Sequence, residues 1–324
     1  MSEESGWNVR GARASFKKRL LVTGGAGFIA SHVIICLLER YPDYLIINLD
    51  KLDYCASLKN LQSVSSRTNY RFIQGDICDE HFVKLLFETE NIHIVLHFAA
   101  QTHVDKSFWC SSEFTNVNVD GTQVLVNAAY QANVEKFIHV STDEVYGGSI
   151  KEFPVVVTRS SNVYGPHQYP EKVIPKFIAL LQRNRKCCIH GTGVQARHFL
   201  YATDVAEAFL TILEKGEPGE TYNVGTNFEM SVIQLAKELV HLIKETASES
   251  ELELWIEHVS DRPSNDLGYP MNSKKLHRLG WKPKVAWEEG IRKTIEWYEA
   301  NFHNWPDAEK ALDPFPSSAL YKRC

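Results

Sequence analysis

The stretch LLVTGGAGFIAS, residues 20–31, decides the fold class of this chain. Its first half is an apolar run typical of a buried strand, and its second half begins a helical pattern. Gly24 and Gly27 stand between them, where a turn without β-carbons lets backbone N–H groups approach a diphosphate at the positive end of the helix. Ala30 is small enough for close packing of helix and strand. The motif predicts a dinucleotide-binding β–α–β unit rather than a glycine turn that binds nothing.

An acidic residue, Asp50, ends the next predicted strand in the run LIINLD. A carboxylate there can accept both ribose hydroxyls and repel a 2′-phosphate, which favours NAD over NADP. Asp76 follows a third strand and could face the adenine, although a surface helix cap is an alternative reading. Two small residues after a fourth strand could let the cofactor pass close by. The predicted cofactor contacts are Gly24, Gly27, Phe28, Ile29, Asp50, Lys51, Asp76, Ile77, Ala99 and Ala100.

Strands and helices alternate along the first half of the chain, which predicts an α/β fold with a doubly wound parallel sheet. One helix is expected to begin near Gly27, another to cover about 111–131, and a third to begin at Ser231 with a capping box to Gln234. The six predicted strands are residues 19–23, 44–49, 70–73, 92–98, 136–141 and 154–158. The predicted division is an N-terminal extension (1–18), a Rossmann domain (19–170, joined again by about 199–226) and a smaller α/β substrate domain (171–324).

Composition excludes several classes of protein. Hydrophobic residues make up 44% and charged residues 23% of 324, as in an ordinary globular protein. A net charge of −5 provides no positive field for nucleic acid. No apolar run reaches 18 residues, so no membrane span is expected. The first eighteen residues lack a signal-peptide core, and the seven cysteines show no metal-ligand spacing. We therefore expect a cytoplasmic protein without a metal site.

Eight motifs along the chain extend the glycine loop into a specific pattern. In order they are TGGAGFIAS, LDKLDY, HFAAQTHVDKS, STDEVYGG, SNVYGPHQYPEKVIP, HGTGVQARHFLYATDVAEA, YNVGTN and DRPSND. Together they resemble the dTDP-glucose 4,6-dehydratases, which are extended short-chain dehydrogenases/reductases of the NAD-dependent epimerase/dehydratase family. The stretch Thr142-Asp143-Glu144 is the most specific, because related epimerases and decarboxylases lack this acidic pair.

The resemblance implies a reaction and its site residues. Hydride leaves C4 of the glucose for NAD, water is lost across C5 and C6, and hydride returns to C6 to give a 4-keto-6-deoxy sugar. Elimination needs a base and an acid, which the family places at Glu144 and Asp143, with Thr142 bonded to the C4 oxygen. The implied contacts to the nucleotide sugar are Thr102, His103, Asn162, Lys172, Arg197, Asn223, Arg262 and Tyr269. The two arginines suit a diphosphate because guanidinium groups bind oxyanions.

One element of the family pattern is missing. The superfamily uses a Tyr-x-x-x-Lys pair on a helix for the redox step, and no such pair occurs near the centre of this sequence. Tyr146 belongs to the separate EVYG motif. The predicted strands 136–141 and 154–158 should be parallel neighbours, which need a crossover of a dozen or more residues. After the TDEVYGG loop only residues 149–153 remain. We infer that a segment carrying the helix is absent, through alternative splicing or a faulty gene model.

The missing helix bears on activity and assembly. Loss of a positioned acid–base group typically lowers rates 10²–10⁴-fold, so this chain is predicted to be impaired or inactive. A non-catalytic NAD or nucleotide-sugar binding protein is the alternative, and a sugar-nucleotide 4-epimerase is disfavoured by Asp143 and Glu144. The family implies a homodimer, but the absent helix forms part of that contact. Its loss should also expose the apolar side of the sheet.

Overall fold

The computed structural model describes residues 16–107, 110–142, 153–246, 248–260 and 271–313. A seven-stranded parallel sheet organises the first half, with strand order β10-β6-β5-β4-β1-β2-β3. This order confirms the predicted doubly wound fold. Its strands are β1 (Lys18–Thr23), β2 (Tyr44–Asp50), β3 (Tyr70–Gln74), β4 (Ile94–His97), β5 (Lys136–Thr142), β6 (Val155–Ser160) and β10 (Thr221–Val224).

Helices cover both faces of this sheet, which explains why its central strands are apolar on both sides. On β1, Leu20 and Val22 pack toward one face and Leu21 toward the other, and all three are fully buried. The helices α1 and α7 cover the first face, and α2 and α5 cover the second. Their bounds are α1 (Phe28–Arg40), α2 (Glu80–Glu90), α5 (Thr122–Gln131) and α7 (Ala202–Lys215).

The helix predicted over 111–131 is present but is not a uniform α-helix. Its α-helical ends, α4 (Ser111–Thr115) and α5, are separated by a six-residue π-helix, Asn116–Gly121. Such widened turns are rare and are frequently found at functional sites. A short helix, α3 (Val104–Ser107), precedes this segment.

The second half contains two small sheets and further helices. A capping box between Ser231 and Gln234 begins α8, as predicted. Three tryptophans near the end of the described chain, Trp281, Trp287 and Trp305, are at least nine-tenths buried and belong to its core. The strands are β7 (Asn162–Tyr164), β8 (Cys187–His190), β9 (Ala196–Tyr201), β11 (Glu229–Ser231) and β12 (Ile256–Val259). The helices are α6 (Val173–Gln182), α8 (Val232–Lys244), α9 (Glu249–Leu254), α10 (Lys274–Arg278) and α11 (Trp287–Asn301), and 3₁₀ turns cover Leu58–Val64, Phe302–Asn304 and Ala308–Leu312.

The strands β5 and β6 are parallel neighbours, as the sequence predicted, with Phe137 opposite Val155 and Thr142 opposite Ser160. The chain must therefore return from the carboxyl end of β5 to the amino end of β6. Residues 143–154 make this connection, and residues 143–152 lie outside the described ranges. Phe153, at the described end of this connection, covers part of the sheet face beside β5, because its ring packs on Phe137 with 5.4 Å between centroids. Phe137 is fully buried, so exposure of the sheet is smaller here than expected.

Candidate active site

The carboxyl ends of β1 and β4 form the crevice where the connections leave in opposite directions, the usual ligand site of doubly wound sheets. Gly24 follows β1 with φ of +68°, and its N–H donates to the Leu49 carbonyl at 2.8 Å. A β-carbon on Gly24 would lie 2.8 Å from the backbone of Ala99. Glycine is therefore required by both the left-handed backbone and the close approach of the two chains.

The start of α1 is open to an anion. Gly27 is its N-cap and provides no side-chain hydrogen bond, and the first turn contains no acidic residue. The helix is 13 residues long, so its dipole and unpaired amides favour negative charge at this end. Phe28 and Ile29 form the first turn at the predicted cofactor position.

The Asp50 side chain holds the glycine loop, residues 24–27, in place by hydrogen bonding. Its two carboxylate oxygens accept from the Ala26 amide at 2.9 Å and from the Leu52 amide at 2.7 Å. Burial raises the pKa of Asp50, and the two amide hydrogen bonds act in the opposite direction. The sequence indicated Asp50 as a ribose acceptor, but it gave no sign of this second role in holding the loop. Each oxygen keeps a further lone pair for a ribose hydroxyl.

Lys51, Asp53 and Asp76 form a charged rim beside Asp50. The Lys51 Nζ atom lies 3.5 Å from Asp53 and 3.9 Å from Asp76. Asp76 also accepts from the Cys78 amide at 3.0 Å, whereas the α2 cap is Asp79. The helix-cap reading of Asp76 is therefore wrong. Its neighbour Ile77 is buried and packs under the π-helix at Gly121.

A buried histidine lies beneath the crevice. His97 bonds to the Thr23 hydroxyl at 2.7 Å through Nδ1 and to the Thr122 hydroxyl at 3.0 Å through Nε2. The Thr23 hydroxyl in turn accepts from the Ala99 amide at 3.3 Å. Burial, together with the neighbouring His139, lowers the pKa of His97 to about 3. The neutral ring ties β1, β4 and α5 together below the predicted cofactor contacts Ala99 and Ala100.

Asn118 of the π-helix fixes the next turn of this loop. It accepts from the Gln101 amide at 2.8 Å and donates to the Gln101 carbonyl at 3.0 Å. The Gln101 side chain also donates to Asp53 at 2.7 Å, which links the loop to the charged rim. Sequence reasoning missed Asn118, because a π-helix has no periodicity distinct enough to be recognised in a 21-residue helical pattern.

The predicted substrate residues Thr102, His103 and Lys172 come together across the two halves of the chain. The Lys172 Nζ atom donates to the Thr102 carbonyl at 2.8 Å. The His103 ring lies 3.9 Å from Glu171, a carboxylate with 11% of its side chain exposed. Glu171 also accepts from the Tyr54 hydroxyl at 3.1 Å. Glu171 and Tyr54 were not predicted, because nothing local in sequence separates them from surface residues.

The remaining predicted residues lie at strand ends or outside the described ranges. Asn162 begins β7 opposite Phe199, and Arg197 lies on β9 opposite Met230. Asn223 on β10 donates to the Asn272 carbonyl at 3.1 Å, so its amide also holds the loop after residue 270 in place. Thr142 ends β5. The positions outside the described residues are Asp143, Glu144, Arg262 and Tyr269.

None of the helices in the described ranges combines the length and the apolar character that a membrane-spanning segment needs. No cluster of three or more His, Cys, Asp or Glu side chains in the same ranges is arranged to hold a metal ion.

Comparison with known proteins identifies related enzymes. The family model described as GDP-mannose 4,6 dehydratase matches residues 21–154 and 148–294. A mouse dTDP-D-glucose 4,6-dehydratase is 68% identical over 349 residues, covering 98% of each chain, and the human counterpart is 66% identical over 346 residues, covering 97% of this chain and 98% of the human one. A dTDP-glucose 4,6-dehydratase from Streptomyces venezuelae, solved with NAD and TYD bound, has a TM-score of 0.81 at 33% identity, covering 90% of this chain and 99% of that one.

Two of these comparisons show a break in the match between this chain and its relatives. The two matched stretches of the family model meet and overlap at residues 148–154. In the mouse comparison, 98% of 324 residues is about 318, so about 30 of the 349 aligned positions have no residue of this chain opposite them. Residues 148–154 also lie within the connection between β5 and β6.

Proposed function

The chain belongs to the dTDP-glucose 4,6-dehydratase family, and on that premise we propose that it binds NAD and a dTDP-sugar but turns the sugar over slowly or not at all. The observation that carries the cofactor assignment is the contact between Gly24 and Ala99, which leaves room for backbone but not for a β-carbon. The open N-terminus of α1 and the acidic residue Asp50 complete a dinucleotide site.

The glycine loop, the start of α1 and Asp50 would hold NAD, which would supply a reversible hydride acceptor for oxidation at C4 and reduction at C6. The chain's own contribution to elimination is Glu144 as the base at C5, Asp143 as the acid for the departing C6 hydroxyl, and Thr142 at the C4 oxygen. Of these three, the structure describes Thr142, which ends β5 at the same sheet edge as the glycine loop. The redox step also needs a group to take the C4 hydroxyl proton, and no Tyr-x-x-x-Lys pair provides it near the centre of this sequence.

Three observations support the loss of an internal segment. The strands β5 and β6 pair in parallel register, yet the twelve residues 143–154 that connect them include the DEVYGG motif, which leaves only residues 149–154 for a crossover. The family match is interrupted at 148–154. The mouse relative has about 30 more positions than this chain within the aligned region, enough for the crossover helix that parallel strands usually need.

The test is to restore the segment. The corresponding residues of the mouse relative are inserted after residue 148, and both chains are assayed with NAD and dTDP-glucose for the 4-keto product. We expect the restored chain to be at least about 100-fold faster, since a positioned acid–base group contributes 10²–10⁴-fold. The control is the same insert with its Tyr replaced by Phe, which should remain slow. Equal turnover by the original and restored chains would overturn the proposed impairment.

A second candidate is a non-catalytic binder of NAD or nucleotide sugar. The cofactor edge, which we define as Gly24, Asp50, Ala99 and the start of α1, is present, whereas the Tyr/Lys pair is missing. This combination favours a binding protein. Saturable NAD binding with no product after prolonged incubation would distinguish it from a slow dehydratase. A 4-epimerase remains disfavoured because Asp143 and Glu144 have no role in that reaction.

Assembly and location complete the proposal. We expect weak homodimerisation, although the helix of α4, the π-helix and α5 presents Val119 and Tyr130 with 57% and 60% of their surfaces exposed. Sedimentation of the original and restored chains would measure the difference. No nucleic-acid or membrane partner is proposed, and the cytoplasm remains the predicted compartment.

A further inference from the structure

The first turns of α1 are tied to a loop from the other half of the chain. The Ser31 hydroxyl lies 3.0 Å from His167 Nδ1, and His32 Nε2 lies 3.0 Å from the Pro166 carbonyl. The two imidazole rings stack with 4.6 Å between centroids and 16° between planes. We call Ser31, His32, Pro166 and His167 the histidine clamp. It joins segments more than 130 residues apart in sequence.

The neighbouring bonds define which atoms donate. The Ser31 hydroxyl donates to the Phe28 carbonyl at 2.8 Å, so its oxygen accepts from His167 Nδ1–H. A carbonyl can only accept, so His32 Nε2 carries the proton shared with Pro166. Each ring therefore uses one N–H and is satisfied in its neutral form.

The surroundings keep both rings neutral. Burial lowers the pKa of His32, and burial together with the adjacent His32 lowers the pKa of His167 to about 3. Phe28 of α1 faces His32 edge-on, and Trp297 of α11 faces His167 at 5.4 Å. Because both imidazole rings are neutral, each keeps its single N–H donor throughout the neutral pH range. The histidine clamp therefore does not act as a pH switch there.

The loop side of the clamp is held in an unusual conformation. His167 has φ of +72°, in the left-handed region that is uncommon for residues other than glycine but in which asparagine, aspartate and histidine are enriched. The next residue, Gln168, donates from its side-chain amide to the Val163 carbonyl, and its backbone carbonyl accepts from the Tyr298 hydroxyl. Glu171 and Lys172, which contact His103 and Thr102, follow within five residues.

We propose that Ser31, His32 and His167 are positioning residues that hold the diphosphate end of α1 in register with the substrate loop 165–172, so that NAD and the nucleotide of the sugar each favour binding of the other. This inference rests on the proposed function for the identity of the two ligands. Thermodynamic coupling of this kind is reciprocal, so it can be measured from either ligand.

The variants follow from the geometry. Glutamine can place its amide nitrogen near the position of His32 Nε2, so His32→Gln keeps the donor to Pro166 without an ionisable ring. His32→Phe keeps a ring of similar size but leaves the Pro166 carbonyl unpaired, which is costly for a buried acceptor. Asparagine tolerates a positive φ and can place its amide nitrogen near His167 Nδ1, so His167→Asn is the conservative change on the loop side.

The experiment measures NAD affinity by calorimetry on the full chain, with and without saturating dTDP, and unfolding in urea on the same samples. We expect dTDP to tighten NAD binding about fivefold in the unmodified chain, a typical coupling. His32→Phe should weaken NAD binding about tenfold and abolish the coupling, whereas His32→Gln and His167→Asn should retain both within about twofold. A purely structural role predicts that His32→Phe lowers stability but leaves the coupling factor unchanged, which would overturn the proposal.

A ligand-free measurement separates this inference from the proposed function. If the unmodified chain binds no NAD, the proposed function fails, and the clamp is tested by amide hydrogen exchange alone. We then expect faster exchange in the first two turns of α1 in His32→Phe than in His32→Gln. Equal exchange in the two variants would overturn the clamp.

Discussion

The cofactor edge and the β5–β6 connection belong to the same parallel sheet. They differ in how closely each matches the family pattern. At the edge, Gly24, Asp50 and Ala99 are held by backbone hydrogen bonds and close contacts that leave little freedom. Between β5 and β6 the connection is only twelve residues long, residues 143–154, and the family's DEVYGG motif takes up the first six of them. On the function proposed above, binding and chemistry occupy separate parts of this fold, so NAD binding should persist in a chain whose turnover is lost.

The largest expected effect concerns the covering of the sheet beside β5. Replacement of Phe153 by alanine should lower the free energy of unfolding by about 3 kcal/mol, because its ring is 93% buried and packs on Phe137. Urea denaturation measures the change. Leu85→Ala, at a half-exposed site on α2, should cost less than about 1 kcal/mol. If Phe153→Ala lowered the free energy of unfolding no more than Leu85→Ala does, Phe153 would not cover the sheet face beside β5.

The second prediction addresses the cofactor edge. Gly24→Ala should weaken NAD binding about 30-fold, because its β-carbon would meet the Ala99 backbone and its φ is positive. Gly219→Ala is the matched control, since Gly219 also has a positive φ but open space around it. Both variants should lose about 1–2 kcal/mol of stability from backbone strain. If Gly219→Ala weakened NAD binding equally, the crevice would not be the binding site.

Asp50 provides a smaller test of the same edge. Asp50→Asn leaves one of the two amides of Ala26 and Leu52 without an acceptor, so NAD affinity should fall about tenfold. Preference for NAD over NADP should also fall, because the negative charge that repels a 2′-phosphate is gone. Asp53→Asn, on the neighbouring rim, should change affinity less than about threefold. Titration with both cofactors checks these outcomes, and an unchanged Asp50→Asn would remove Asp50 from the site.

The smallest effect comes from the histidines between the two regions. His97 and His139 lie on adjacent strands with 5.5 Å between ring centroids, and burial lowers both pKa values. The unfolded chain binds protons first, near pH 6.5, so each histidine stabilises the fold above that pH and loses the contribution as pH falls toward the folded-state pKa.

Replacement of His139 by phenylalanine should therefore flatten the pH dependence. Between pH 8 and pH 5.8 the unmodified chain should lose about 1 kcal/mol more stability than His139→Phe. The substitution also removes a buried Nδ1 atom that has no hydrogen-bond partner among the described residues, so it should cost little stability at pH 8. Urea unfolding at both pH values gives the comparison, and parallel losses would mean that His139 titrates normally in the folded protein.

The parts of the fold that the sequence predicted are those whose signals are local. Apolar runs locate the seven-stranded sheet except for its edge strand β10, and Ser231 with Gln234 locates the start of α8 because a cap acts over three residues. The glycine loop could also be predicted, since the positive φ of Gly24 and the close approach of the Ala99 backbone restrict that position to glycine.

The parts that were missed depend on distant contacts. The Ser31–His167 bond joins residues 136 positions apart, and Tyr54 meets Glu171 across 117 positions. The π-helix around Asn118 differs from an α-helix by one residue per turn, which a short pattern does not reveal. The proposed loss of a crossover stays a prediction; it rests on topology rather than on side chains, because parallel strands need a dozen or more connecting residues and the DEVYGG motif takes up half of residues 143–154.

The most direct measurement combines NAD titration and single-turnover conversion of dTDP-glucose on one sample of the chain as it stands. The account predicts NAD binding within about tenfold of the segment-restored chain, together with 4-keto product formed at least about 100-fold more slowly. Product formed at the rate of the restored chain would contradict it, because Tyr146 or another residue would then perform the proton transfer that we assign to the absent segment.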